Sequence, residues 1–174
     1  MIEHIQIDKT DEYVQISNLI VELLDEAYIP YSKVPKRIKP SYLKESRTIN
    51  FGIGYKNFRP YGPYKANYTQ PIIYELLKQL INLIRPDFIY KVITVNKNVM
   101  MNRHKDRHND SSSLFFCLGD YKNGGLILYD ENNKPTIYDC KDKYLNFNGS
   151  LTEHETEPFT GTRYSIIVYN STIY

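Results

Sequence analysis

The sequence has no tryptophan and only two cysteines, Cys117 and Cys140. Neither a disulfide framework nor a four-cysteine metal site can be built from them, so a reducing compartment is expected. Long apolar runs are missing too: stretches such as Ile166–Tyr169 are far too short to cross a bilayer. The start, Met1-Ile2-Glu3-His4, has neither a basic nor an apolar leader region, so an intracellular protein is expected and a secreted one is not. Internal repeats are also lacking. What is present is a globular balance, 41% hydrophobic and 24% charged, which excludes a disordered chain. The 174 residues are enough to bury a core without staples and suit one domain. The 17 tyrosines and the heavy use of Ile, Lys and Asn follow A/T-rich codons and suggest a virus or protist source.

A net charge of +2 conceals an asymmetry. Residues 28–70 hold nine basic side chains against one acid, Glu45, so this stretch carries +8 and the remainder −6. Eight aromatic residues from Tyr31 to Tyr68 are threaded through it. Cations neutralise phosphates and aromatic faces stack on unpaired bases, which suits nucleic acid. The other reading is a solvated, proline-rich loop whose tyrosines pack on the core.

Along the chain, Asp11–Glu26 has a helical period, with Val14, Leu19, Ile20, Leu23 and Leu24 as the expected apolar face and Thr10 or Asp11 as cap. Pro30, Pro35 and Pro40 break regular structure over 28–46, and a strand is expected over 47–53. A second helix fits 71–84, with Pro71 at its first position and Pro86 stopping it. From Tyr90 the pattern changes to short β-prone runs separated by turn signals. Strands are expected near 90–95, 99–104, 113–118, 125–130, 135–139, 144–147, 151–155 and 162–169. The fold class is therefore α+β: a jelly-roll core over 89–174, with a helical and basic part over 1–88 flanking it in one domain.

Four features fall at chemically meaningful places in that scheme. His104 and Asp106 close the second expected strand and share a face by alternation. His154 lies in the seventh, which a jelly roll brings close to the second. Two histidines and one carboxylate leave half an octahedron open, as non-haem Fe(II) needs for a co-substrate and O₂. Arg163 and Ser165 share a face of the eighth strand. A guanidinium among apolar neighbours wants a carboxylate, so a small diacid could bind the metal at one end and Arg163 at the other.

With these residues in view, 90–170 resembles the double-stranded β-helix of the 2-oxoglutarate- and Fe(II)-dependent dioxygenases. Within that superfamily it is most similar to the TET/JBP group, which oxidises the methyl of 5-methylcytosine or thymine. The resemblance rests on Val95-Asn96-Lys97-Asn98, His104-x-Asp106, Ser112-Ser113, Leu118-Gly119-Asp120-Tyr121, Gly124-Gly125-Leu126, His154 and Pro158-Phe159-x-Gly161-x-Arg163-Tyr164-Ser165. It implies that His104, Asp106 and His154 bind iron, and that Arg163 and Ser165 bind the distal carboxylate of 2-oxoglutarate. Asn96 and Asn98 would lie near co-substrate or substrate. Tyr55, Phe58, Arg59 and Tyr61 of the basic stretch, with His108, are the substrate candidates. The implied function is hydroxylation of a base methyl using Fe(II), 2-oxoglutarate and O₂, with DNA favoured over RNA as partner. A protein side-chain hydroxylase acting on a peptide is the alternative, and a non-catalytic jelly-roll module is the third. Two cysteines cannot build the cysteine-rich DNA-gripping module of animal TET enzymes, and Tyr169 stands where AlkB-type enzymes carry a second arginine.

Overall fold

The computed structural model describes residues 1–56, 59–106, 109 and 111–171, with backbone alone for 55–56 and 59–61. Strand β1 (Glu3–Gln6) precedes helix α1 (Asp11–Glu26). Strands β2 (Arg47–Lys56) and β3 (Arg59–Pro63) then lead to α2 (Ala66–Thr69) and α3 (Pro71–Ile84). The C-terminal half contributes β4 (Val92–Lys97), β5 (Ser113–Leu118), β6 (Tyr121–Asn123), β7 (Leu126–Tyr129) and β8 (Pro135–Tyr138). After these come β9 (Lys143–Phe147), β10 (His154–Thr156), β11 (Phe159–Gly161) and β12 (Tyr164–Tyr169). Seven strands form one antiparallel sheet in the order β1-β9-β5-β12-β4-β2-β3, and β10-β7-β8 and β11-β6 form the smaller ones.

Period-2 alternation along the central strands decides what each face of the large sheet does. Leu114, Phe116, Tyr164, Ile166, Val168, Ile93, Val95, Ile49 and Phe51 point to one side. There they meet Ile16, Ile20 and Leu24 of α1 and Leu77, Leu80 and Ile81 of α3. Each such side chain contributes roughly 1.5–3 kcal/mol of burial. The opposite face of β5, Phe115 and Cys117, packs with Leu126, Leu128, Leu145 and Phe147 inside the roll. With both faces covered, β5 is buried along its whole length. This is an α+β double-stranded β-helix with helices packed outside the major sheet.

The two long helices begin and end where caps and proline place them. Thr10 Oγ1 accepts from the Tyr13 N–H at 3.1 Å, and Pro71 opens α3. The buried face of α1 differs from expectation: it runs Tyr13, Ile16, Ser17, Ile20, Leu24, so Val14 and Leu19 are exposed. The 3- and 4-residue spacing from Tyr13 selects that stripe, and a phenol ring fills the place the sequence reading gave to Val14.

Segment 99–104 is not a strand. Met101 and His104 make only isolated bridges, to Ile38 and His154, because their backbone partners come from the proline-rich segment and from β10. Nine described strands follow α3 rather than eight. The three-residue β6 and β11 were not expected, and neither were β1 and β3. Arg163 precedes β12 by one residue, and its backbone pairs with Asn98 instead.

Candidate metal centre

His104 and His154 face each other across an antiparallel bridge in which each N–H donates to the other's carbonyl, at 3.0 and 2.9 Å. The Asp106 N–H donates to Gly149 O at 2.9 Å. A Cβ on Gly149 would stand 2.9 Å from Asp106 Oδ2, so glycine permits the close approach. His104 Nδ1 lies 2.7 Å from Asn102 O, and His154 Nδ1 2.9 Å from Thr152 O. A carbonyl only accepts, so each Nδ1 donates to it, and each Nε2 is the nitrogen turned toward Asp106. Those Nε2 atoms are 3.4 Å from Asp106 Oδ1 and Oδ2 respectively, and the three donor atoms all lie within 4.8 Å of one another. Burial pushes the Asp106 carboxyl up. The hydrogen bonds and charges of His104 and His154 outweigh that and hold it well below the usual carboxylate range. It is ionised, as a cation ligand must be.

A cavity of about 750 Å³ opens beside the cluster. Buried Phe115, Leu126, Phe147 and Ser165 form its inner wall, and the more exposed Tyr28, Lys33, Lys65 and Gln70 form its mouth. One side of it is a polar wall in two rows, set by the registers of β2, β4 and β12. Thr48, Asn96 and Ser165 form the first row, with the Thr48 hydroxyl donating to Asn96 Oδ1 at 2.7 Å. Asn50, Thr94 and Ile167 form the second, with the Thr94 hydroxyl donating to Asn50 Oδ1 at 2.7 Å. The sequence reading missed Thr48, Asn50 and Thr94. Their signal was available, since they alternate with Ile49, Phe51, Ile93 and Val95.

Arg163 is 1% exposed. Its Nε donates to Gly124 O at 2.9 Å, its N–H to Asn98 Oδ1 at 2.9 Å, and its Cζ lies 5.4–5.8 Å from the ring centres of Phe115, Tyr121 and Phe159. Its Nη2 is buried and has no hydrogen-bond partner among the described residues. The Tyr121 hydroxyl, buried beside the Cys117 thiol, is otherwise unpartnered. Burial pushes that phenol up, so it remains a proton donor. Arg163 does not itself line the cavity; Phe115 and Ser165, which flank it, do.

The structure thus brings His104, Asp106 and His154 together and sets Asn96 and Ser165 side by side in the wall. Asn98, at φ 53°, is turned away from the cavity and clamps the Arg163 backbone. Phe58 and His108 lie outside the described residues, as do the side chains of Tyr55, Arg59 and Tyr61.

No protein-family model matches the chain, and no curated protein matches it in sequence. Solved structures do. A Burkholderia pseudomallei oxidoreductase of the 2OG-Fe(II) oxygenase family matches with TM-score 0.56 and 11% identity, over 95% of this chain and 92% of that one. NgTET1 in complex with 5mC DNA matches with TM-score 0.64 and 12% identity, over 98% and 72%. A Trichoplax adhaerens prolyl hydroxylase bound to a hypoxia-inducible-factor peptide matches with TM-score 0.61 and 16% identity, over 97% and 82%. The chain has the 2OG-Fe(II) oxygenase fold.

The residues that this oxygenase fold sets around its cavity suit an iron ion and a diacid. Two imidazoles and one carboxylate are a donor set for Fe(II) with positions to spare. The unpartnered Arg163 Nη2 is a buried cation donor lacking the acceptor that such burial requires. Among the described residues no helix is long and apolar enough to cross a membrane.

Proposed function

We propose that this protein is an Fe(II)- and 2-oxoglutarate-dependent dioxygenase that hydroxylates the methyl group of a nucleic-acid base. The observation that carries the reading is the set of three donor atoms within 4.8 Å, opening on a cavity beside a buried arginine with a free donor. His104, Asp106 and His154 would hold the metal, with the tautomers fixed by Asn102 and Thr152. Arg163 Nη2 and the Tyr121 and Ser165 hydroxyls would receive the distal carboxylate of 2-oxoglutarate, and the Asn96 amide, orientated by Thr48, would face its other end. Iron and co-substrate supply the redox chemistry: 2-oxoglutarate, O₂ and a C–H group become succinate, CO₂ and a C–OH group. The chain's own contribution is placement and exclusion of water, through Phe115, Leu126 and Phe147 on the inner wall. A base inside a duplex cannot reach such a cavity, so it must be flipped out or already unpaired. The basic stretch 28–70 supplies the mouth, which favours an anionic substrate.

Nucleoside mass spectrometry tests this on methylated and unmethylated DNA and RNA incubated with protein, Fe(II), 2-oxoglutarate and air, beside a His104→Ala control. The expected outcome is one added oxygen on methylcytosine or thymine, lost in the control. Succinate above the control without a base change would move the substrate to a protein side chain, and neither product would overturn the enzyme reading.

A further inference from the structure

The mouth of the cavity carries side chains that neither the metal nor the diacid uses. Tyr28 lines it and is 81% exposed. Tyr31 and Tyr68, nearby in the same segment, are 64% and 70% exposed, and the Arg47 guanidinium lies 3.6 Å from the Tyr31 ring centre. The two flanks of the mouth are tied together, since Gln70 Nε2 donates to the Tyr28 carbonyl at 3.4 Å. Lys33 and Lys65 also line the mouth, and neither makes an ion pair among the described residues. Glu155, the acid that shares this cavity with the metal ligand Asp106, is 3.9 Å from Lys39 and so partly offset. An exposed aromatic face on the same rim as two cations without ion-pair partners, in a segment of charge +8, suits a ligand with both flat rings and negative charge. A duplex offers the charge but hides the rings. An unpaired strand offers both.

We propose that this mouth is a platform for a single-stranded nucleic acid. Tyr28 stacks on the base next to the one that enters the cavity, and Lys33 and Lys65 neutralise the flanking phosphates. The inference rests on the base-oxidation reading, but its test does not need turnover.

Fluorescence anisotropy with iron-free protein and a labelled 12-nucleotide strand, against the same sequence as duplex, reads it directly. The strand is expected to bind at least tenfold more tightly than the duplex. Tyr28→Ala should weaken strand binding about tenfold and Tyr28→Phe should not, because stacking needs the ring and not the hydroxyl. The Lys33→Ala/Lys65→Ala variant should lower the log–log salt slope by about 0.7 per lysine. Thermal melts confirm that each variant is folded. Equal affinity for duplex, an unchanged Tyr28→Ala variant, or tighter binding of an acidic peptide than of the strand would overturn the platform. Strand binding without base oxidation would leave the platform standing and sink the base chemistry. Base oxidation without the Tyr28 effect would do the reverse.

Discussion

The two ends of the cavity are built on opposite principles. Behind the inner end, next to Phe115 and Ser165, Arg163 is sealed: its backbone is clamped by Asn98, its Nε by Gly124 O, and three aromatic rings lie around its guanidinium. At the mouth, Tyr28 stands in water and Lys33 and Lys65 have no ion-pair partners among the described residues. A charge removed from water is tolerated only when its donors are met, so an inner end with one donor left over suits a small anion. A hydrated rim leaves its cations and its aromatic face available to a charged ligand larger than the cavity. The sealed end suits a fixed diacid, and the open end suits a substrate much larger than the cavity.

Replacing Arg163 gives the largest expected break in this contrast. Arg163→Leu should weaken 2-oxoglutarate binding about ten- to a hundredfold, because a charge-assisted hydrogen bond from the unpartnered Nη2 is worth about 1.5–3 kcal/mol. The fold should persist, since leucine suits a site ringed by Phe115, Tyr121 and Phe159. Titration calorimetry on Mn(II)-loaded protein measures the loss, and strand binding at the mouth should be unchanged. An unaltered diacid affinity would mean that the inner end is structural.

The next effect tests whether the sealed end depends on the backbone around it. Gly124 has φ +75°, and a Cβ there would lie 2.9 Å from Phe159 Cβ and 3.0 Å from Arg163 Cδ and Nε. Gly124→Ala should cost about 1–3 kcal/mol in stability, from the left-handed conformation and from displacement of the Arg163 stem. Denaturant melts should show the loss and calorimetry a several-fold weaker diacid affinity. A stable variant with normal affinity would show that the arginine is held elsewhere.

The same contrast governs what could be read from the sequence. Helices α1 and α3 were legible because Thr10, Pro71 and Pro86 punctuate a clear helical period, and β5 because Leu114–Leu118 is continuously apolar. Short elements held by distant partners were not. Strand β1 has four residues and exists by pairing with β9, and β3 contains Pro60 and Pro63, which a sheet edge tolerates. Val99–His104 has strand-like composition, but its hydrogen bonds go to Arg37, Lys39 and Thr156, which no local pattern reveals. At the site, the His104-x-Asp106 spacing was visible, yet the geometry that joins it to His154 comes from a bridge and from Gly149 rather than from strand alternation. The family resemblance placed Asn98, with Asn96, near co-substrate or substrate. A left-handed φ at the strand end turns it to the Arg163 backbone instead.

The smallest effect sharpens the comparison from outside both ends. Thr10 caps α1 through the Tyr13 N–H, far from the metal ligands along the chain and on the helical side of the sheet. Thr10→Ala should cost about 1 kcal/mol, the usual value of a lost N-cap, and lower the melting temperature by a few degrees. Because α1 packs against the face of β5, β12 and β4 opposite the cavity, diacid affinity, metal affinity and strand binding should all stay at their original values. A fall in diacid affinity would show instead that the helical layer sets the spacing of β12. The sealed end would then depend on global packing rather than on the Asn98 and Gly124 contacts.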